Sequence, residues 1–179
     1  MYDLLKKIGV IFRILPKPIR NFIFEITSNY SNFLALAVRY IILSSFVNSI
    51  GERVYIGKNV TIRNPENLTI GNSVSIHDNC YLDAFGSIEL GNYVSIANHS
   101  SLISFEHTWG DNDVPIKYNP SIKKSISISD DVWIGSGCRV LGGTNVGRRV
   151  IIAAGAVAKG ELIESNIYGG VPTRIIKKL

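Results

Sequence analysis

Residues 126–158 read ISISDDVWIGSGCRVLGGTNVGRRVIIAAGAVA, and an apolar residue returns at every sixth position: Ile128, Ile134, Val140, Val146, Ile152 and Ala158. The next position is small in Gly135, Gly147 and Ala153. Four positions after each apolar residue stands another small or β-branched one, at Val132, Cys138, Thr144, Val150 and Ala156. A helix repeats about every 3.6 residues and a strand about every 2, so neither yields this period with glycine at one phase. Short strands joined by tight turns do. The first residue of each hexad then points inward, glycine relieves the turn, and the small residue fits a crowded interior.

The same phase extends back through Ile56 and Ile62, then Ile70, Ile76 and Leu82, then Leu90, Ile96 and Leu102. Two-residue slips between 62 and 70 and between 82 and 90 read as bulged corners, not as a lost repeat. Repetition at a fixed short period is the signature of a solenoid. Residues 51–179 therefore read as an all-β solenoid, interrupted once between 103 and 125. Both cysteines, Cys80 and Cys138, fall on the interior small-residue phase and read as packing residues, too few and wrongly spaced for a disulfide framework or a metal site.

Residues 1–50 follow a different rule. Leu4, Leu5, Ile8, Ile11, Phe12 and Leu15 make one helical stripe, ended by Pro16 and Pro18. Second and third helices are expected over Arg20–Thr27 and Phe33–Val47, the latter charged only at Arg39. That third run is shorter than the roughly 20 residues a membrane-spanning helix needs. Of the chain's net charge of +5, most lies here, where Lys6, Lys7, Arg13, Lys17, Arg20 and Arg39 face only Asp3 and Glu25. The segment reads as a helical cap on the solenoid, as a basic amphipathic anchor on an anionic membrane surface, or as both. Because the rest of the chain is nearly neutral, the charge does not imply a nucleic-acid partner. A secretory signal is not evident, so the expected location is the cytoplasm, with peripheral contact at the cytoplasmic face of the membrane through this segment.

The stretches IGNSVSI, LGNYVSIANHSSL and VWIGSGCRVLGGTNVGRRVIIAAGAV, with the closing YGGVPTRIIKKL, resemble the hexapeptide-repeat acyltransferases over about residues 52–178. Within that family the chain is most similar to the sugar O-acetyltransferases, the maltose and galactoside enzymes and those that modify polysaccharides. The resemblance implies a left-handed parallel β-helix of triangular section and a homotrimer with acetyl-CoA in the groove between neighbours. It also implies direct acetyl transfer to a sugar hydroxyl, without an acyl-enzyme or a metal, in capsule, O-antigen or exopolysaccharide synthesis.

A loop longer than about 12–15 residues on a rigid scaffold is commonly functional. Within the interruption, LISFEHTWGDND carries His107 at the family's catalytic position. A sugar hydroxyl is a poor nucleophile until its proton is being removed, and imidazole, with an ordinary pKa of about 6.5, suits that task. Its orienting partner is left open among Glu106, Asp111, Asp113 and a backbone carbonyl. For the donor, the resemblance places Trp133 against the thiol end of the coenzyme, and Ala97, Ser136 and Ala154 along its pantetheine arm. Lys159, Arg174 and Lys177 would meet its phosphates. Lys159 departs from the family pattern, standing where a threonine is usual, with Gly160 in place of the lysine. For the acceptor, His77 stands where the simple-sugar enzymes carry asparagine, and Phe85 near one of their aspartates; Asp83 could supply the missing carboxylate.

Other readings fare worse. Ser136 lies in IGSGC, inside a hexad run and without the strand–turn–helix context of a nucleophile elbow. A zinc carbonic anhydrase on this scaffold needs a close histidine pair, whereas His77, His99 and His107 are spaced by 22 and 8 residues. N-acetylation of a nucleotide-linked amino sugar uses the same base, but those enzymes commonly add a nucleotide-binding domain that the apolar N-terminus is too short to form. A non-catalytic trimeric scaffold would leave the histidine loop, Trp133 and the basic tail without a purpose.

Overall fold

In the computed structural model, which describes residues 2–179, the hexads stack into about six coils of a left-handed parallel β-helix with three faces. The first face carries strands 49–50, 68–70, 88–90, 126–128, 145–146 and 161–162. The second carries 55–56, 75–76, 95–96, 133–134, 151–152 and 166–169, and the third 61–63, 81–83, 101–103, 139–141 and 157–158. Parallel register aligns the apolar phase into columns: Ile56, Ile76, Ile96, Ile134, Ile152 and Tyr168 on the second face, and Ile62, Leu82, Leu102, Val140 and Ala158 on the third. All of these are buried except the half-buried Ile62, as are all the small-phase residues, Cys80 and Cys138 among them. Each large aliphatic so enclosed contributes about 1.5–3 kcal/mol relative to exposure, so the columns are the main source of stability.

The role of glycine differs from the expectation. The glycines directly after the apolar phase do not have positive φ; they make room for the next coil. A Cβ on Gly71 would sit 2.5 Å from the Gly91 carbonyl oxygen, and one on Gly135 would sit 2.6 Å from the Ala154 amide nitrogen. The turn itself is made three positions after the aliphatic, where Asn59, Ser73, Asn79, Tyr93, His99, Asp131 and Arg149 adopt φ of 52–61°. Asparagine tolerates that left-handed conformation best among non-glycine residues, and the corners add side-chain ladders, such as Asn59 Nδ2 donating to Asn79 Oδ1 at 3.3 Å. His99 is therefore a corner residue. The two-residue slips are indeed wider corners: a single 3₁₀ turn at Pro65–Asn67 fills the first, and a turn at Ala84–Ser87 the second.

Three helices close the start of the solenoid: α1 (Tyr2–Phe12), α2 (Lys17–Ser28) and α3 (Phe33–Ser44). α2 begins three residues before its expected start because Pro18 sits inside its first turn, where a missing N–H costs nothing. α3 starts on Asn32, whose side chain accepts from the Ala35 amide, and stops at Ser44, three residues short of expectation. Beyond that end Val47 joins Tyr40 and Leu43 in the solenoid core. Arg39 is buried here, its Nε donating to the Ile56 carbonyl at 3.1 Å and its Nη1 to the carbonyls of Thr27 and Tyr30. The cap is thus stitched to the first coil. Among the described residues no helix is long and apolar enough to cross a membrane.

At the far end, Val171 and Pro172 lead the chain out of the last coil, and strand 174–178 returns antiparallel along 166–169.

Candidate active site

The interruption is not a bare loop. Strand 105–107 pairs antiparallel with 121–123, setting Phe105 opposite Lys123, Glu106 opposite Ile122, and His107 opposite Ser121. A 3₁₀ turn at Ile116–Tyr118 and a buried Asn119 order the tip, Asn119 accepting from the Asp111 amide and donating to the carbonyls of Asp111 and Val114. At the neck, the Ser104 hydroxyl donates to the Asp83 carbonyl and accepts from the Gly86 amide, both at 2.8 Å.

Side chains alternate across the hairpin. Phe105 and His107 share one face, with ring centres 5.8 Å apart, and Phe105 meets Phe85 edge-on at 5.8 Å. His107 is exposed, and its Nδ1 lies 3.3 Å from Ser121 Oγ. None of the acids considered as its partner touches it. Glu106 points to the other face, Asp111 accepts from the Asp113 amide, and Asp113 is exposed. Ser121 and Lys124 were not legible in advance, since only the hairpin register brings them to His107 and Glu106.

Glu106 receives two cations: Lys124 Nζ at 2.6 Å from one carboxyl oxygen and Lys159 Nζ at 2.9 Å from the other. Hydrogen bonds from Lys124, and then from Lys159, hold its carboxyl below the usual carboxylate range. Lys159, read from sequence as a phosphate ligand, is 54% exposed and pairs with Glu106 within the chain.

Trp133 lies on the second face, 54% exposed, between Ser95 and Ile151 of neighbouring coils. Continuing along that row are Ile167 and then Lys177 of the returning strand. Three strand spacings separate Trp133 from Lys177, or roughly 14 Å. Arg149 borders the same shallow groove and is a further cation that the hexad pattern disguised as a corner residue. Arg174 is exposed at the head of the returning strand. Ala97, Ser136 and Ala154 follow one another along the edge where the second face turns into the third, with Ser136 Oγ donating to the Asn98 carbonyl at 3.0 Å.

The acceptor candidates divide. His77 is exposed on this same edge, its ring 5.6 Å from that of Tyr55. Asp83 and Phe85 lie at the opposite end of the third face, below the hairpin. Asp83 is buried, not solvated. Its Oδ1 accepts from Asn64 Nδ2 at 2.7 Å and from the Phe85 amide at 3.1 Å, so its carboxylate shapes the corner. Phe85 is half-exposed, with Lys123 Nζ 4.9 Å from its ring centre. Within one chain, then, His107 and the Trp133 groove lie on different edges of the prism. Among the described residues, no group of three or more His, Cys, Asp or Glu side chains is arranged to hold a metal ion.

Comparison with known proteins agrees with the fold. Residues 125–160 match the family model "Bacterial transferase hexapeptide (six repeats)" and residues 47–84 match "Hexapeptide repeat of succinyl-transferase". Both matches are to hexapeptide repeats, one in the early coils and one in the late coils of the solenoid. It is 33% identical over 129 residues to a probable acetyltransferase of Mycobacterium tuberculosis, which covers 72% of this chain but only 43% of that protein. It is 27% identical over 146 residues to an Escherichia coli K12 protein provisionally named a lipopolysaccharide biosynthesis O-acetyl transferase, covering 65% of this chain and 74% of that one. Among solved structures, a hexapeptide-repeat acetyltransferase of Vibrio cholerae in complex with acetyl coenzyme A superposes with a TM-score of 0.80 at 22% identity, covering 89% of this chain and 85% of that one.

Proposed function

We propose that the protein is an acetyl-CoA-dependent O-acetyltransferase acting on a sugar hydroxyl in surface polysaccharide or glycoconjugate synthesis, with His107 as general base. The observation that carries this reading is the exposed imidazole on an ordered hairpin, held by the solenoid and contacted at Nδ1 by Ser121. In this reading Nε2 is the bare nitrogen that accepts the proton, and Nδ1–H donates to Ser121 Oγ. Acetyl-CoA supplies the activated acetyl group. His107 takes the acceptor proton as the hydroxyl oxygen attacks the acetyl carbonyl, and passes it to the departing thiolate.

Because His107 and the Trp133 groove lie on different edges, two copies of the chain complete one site, which is how a homotrimer of flat-faced solenoids would work. Trp133 then bounds the thiol end, Ala97, Ser136 and Ala154 allow the pantetheine arm to lie close to the main chain, and Lys177 and Arg174 meet the phosphates. Phe85 offers a face for a pyranose and His77 a polar contact. Acetyl-CoA turnover measured against free sugars, nucleotide sugars, lipid-linked oligosaccharides and amino sugars tests the reading. Turnover with a hydroxyl acceptor is the expected result; turnover only with an amino sugar would move the protein to N-acetylation.

The N-terminal helices support a peripheral membrane location. Leu4, Val10, Ile11 and Ile14 are exposed along α1 and just beyond it, and Phe22 and Ile26 along α2. Lys7, Arg13 and Lys17 lie exposed beside them, whereas Arg20 and Arg39 are turned inward on backbone carbonyls. Apolar side chains rimmed by cations suit an anionic bilayer surface. Co-sedimentation with phosphatidylglycerol vesicles is expected for the wild-type protein and lost in an Ile11→Glu, Ile14→Glu double variant. Equal recovery of both proteins in the vesicle pellet would sink the idea.

A further inference from the structure

The hairpin that carries His107 has only three residue pairs, and an isolated two-stranded ribbon of that size is marginal in water. Something in the body of the protein must therefore decide which way its two faces point. Its neck is tied by Ser104, and by the Lys124 amide donating to the Ser104 carbonyl at 2.9 Å. These bonds hold the neck but leave the strands beyond it free to rotate about their long axis. Contacts on both faces oppose that rotation, among them Lys123 Nζ 4.9 Å from the Phe85 ring centre on the His107 face. On the His107 face Phe105 rests on Phe85, and on the other Glu106 is gripped by Lys124 and Lys159.

The grip has a specific form. Each carboxyl oxygen has its own ammonium partner, at 2.6 and 2.9 Å; Glu106 and Lys124 are 23% and 35% exposed, so solvent screens that pair less than an open surface pair, while Lys159, at 54%, reaches in from the surface. Lys124 follows the returning strand, while Lys159 follows strand 157–158 on the third face of the body. One carboxylate thus bridges the hairpin to a coil that no other side chain of strands 105–107 reaches among the contacts described. Of three ion pairs among the described residues, two converge on this residue, which directly precedes His107.

We propose that Glu106, clamped between Lys124 and Lys159, is the positioning residue that fixes the hairpin face presenting His107 to the acceptor, and that Lys159 serves this clamp, not the coenzyme phosphates. The inference rests on His107 being the base. It differs from the sequence reading of Lys159 in a measurable way: a clamp acts on turnover, a phosphate ligand on donor affinity.

The test uses the full chain in Glu106→Gln, Lys159→Met and Lys159→Arg forms. It reads kcat, KM for acetyl-CoA, and amide hydrogen exchange at residues 105–107 and 121–123. Glu106→Gln and Lys159→Met should each lower kcat about 10- to 100-fold, the order of loss that a displaced catalytic group produces. KM for acetyl-CoA should stay within about twofold, because the donor contacts are untouched. Both variants should speed exchange in the hairpin; their combination should cost no more than the worse single one, since they break the same bridge. Lys159→Arg should restore most of the turnover. A Lys159→Met variant with kcat retained and KM for acetyl-CoA raised about tenfold or more overturns the proposal, as does wild-type hairpin exchange in Glu106→Gln. His107→Ala, run alongside, separates the two claims. Full turnover in that variant would remove His107 as base, while the exchange data would still report on the clamp.

Discussion

Replacing His107 with alanine should lower kcat by about 100- to 10,000-fold, the usual contribution of a positioned general base. The solenoid should survive unchanged, because His107 is exposed on the hairpin and contributes nothing to the apolar columns. Coenzyme A affinity should also hold, since Trp133 and the basic returning strand lie on another edge. Steady-state kinetics, calorimetric titration with coenzyme A and a thermal melt together check all three statements. Retained turnover with a normal melt would remove the imidazole from the reaction. Loss of turnover accompanied by unfolding would instead make the hairpin a structural element. A milder companion, Ser121→Ala, removes the hydroxyl near Nδ1 and belongs at the lower end of that range or below it.

The second large effect concerns stability. Arg39→Met should destabilise the protein by about 3 kcal/mol, because the buried Ile56 carbonyl and the part-buried carbonyls of Thr27 and Tyr30 lose their donor. For a chain of this size that corresponds to a melting point lower by about 6–12 °C. The result is not obvious, since burial also costs the guanidinium: desolvation pulls its pKa below the ordinary value, and Nη2 finds no partner. An apolar replacement removes that cost. The carbonyls of Ile56, Thr27 and Tyr30 remain, however, and Arg39 ties the turn between α2 and α3 to the first coil, beside the Asn59 amide that donates to the Ser28 carbonyl. An unchanged or raised melting point would show that the buried charge costs as much as its three bonds return.

The periodicity of residues 126–158 contained the fold because each hexad specifies the same three things locally, so fourteen weak signals agree. Glycine misled in one respect. Sequence shows where it stands but not whether φ or a neighbouring coil demands it, and the left-handed corners are shared between Gly137, Gly143 and Gly155 and a set of Asn, Ser, Tyr, His, Asp and Arg residues. Helix ends slipped by about a turn where Pro18 and Val47 served roles that the apolar pattern alone does not distinguish. The site was legible only in part. His107 and Trp133 stood out because each interrupts a pattern. The partners of His107 and Glu106 did not, since Ser121, Lys124 and Lys159 are brought to them by register and coil stacking, which no local rule encodes. The corner role of Asp83 is likewise visible only in three dimensions, where Asn64 and the Phe85 amide enclose its carboxylate.

The antiparallel return of residues 174–178 has a consequence beyond ending the chain. A parallel stack exposes, after its last strand, a row of backbone groups ready to template another molecule, and a solenoid is at risk of growing end to end into a fibre. Here the final strand of the second face is occupied by a strand of opposite direction with three cations, Arg174, Lys177 and Lys178. Its outer edge no longer matches the parallel lattice and repels its own copies. With helices over the first coil and this strand beside the last strand of the second face, end-to-end stacking meets an obstacle at each end.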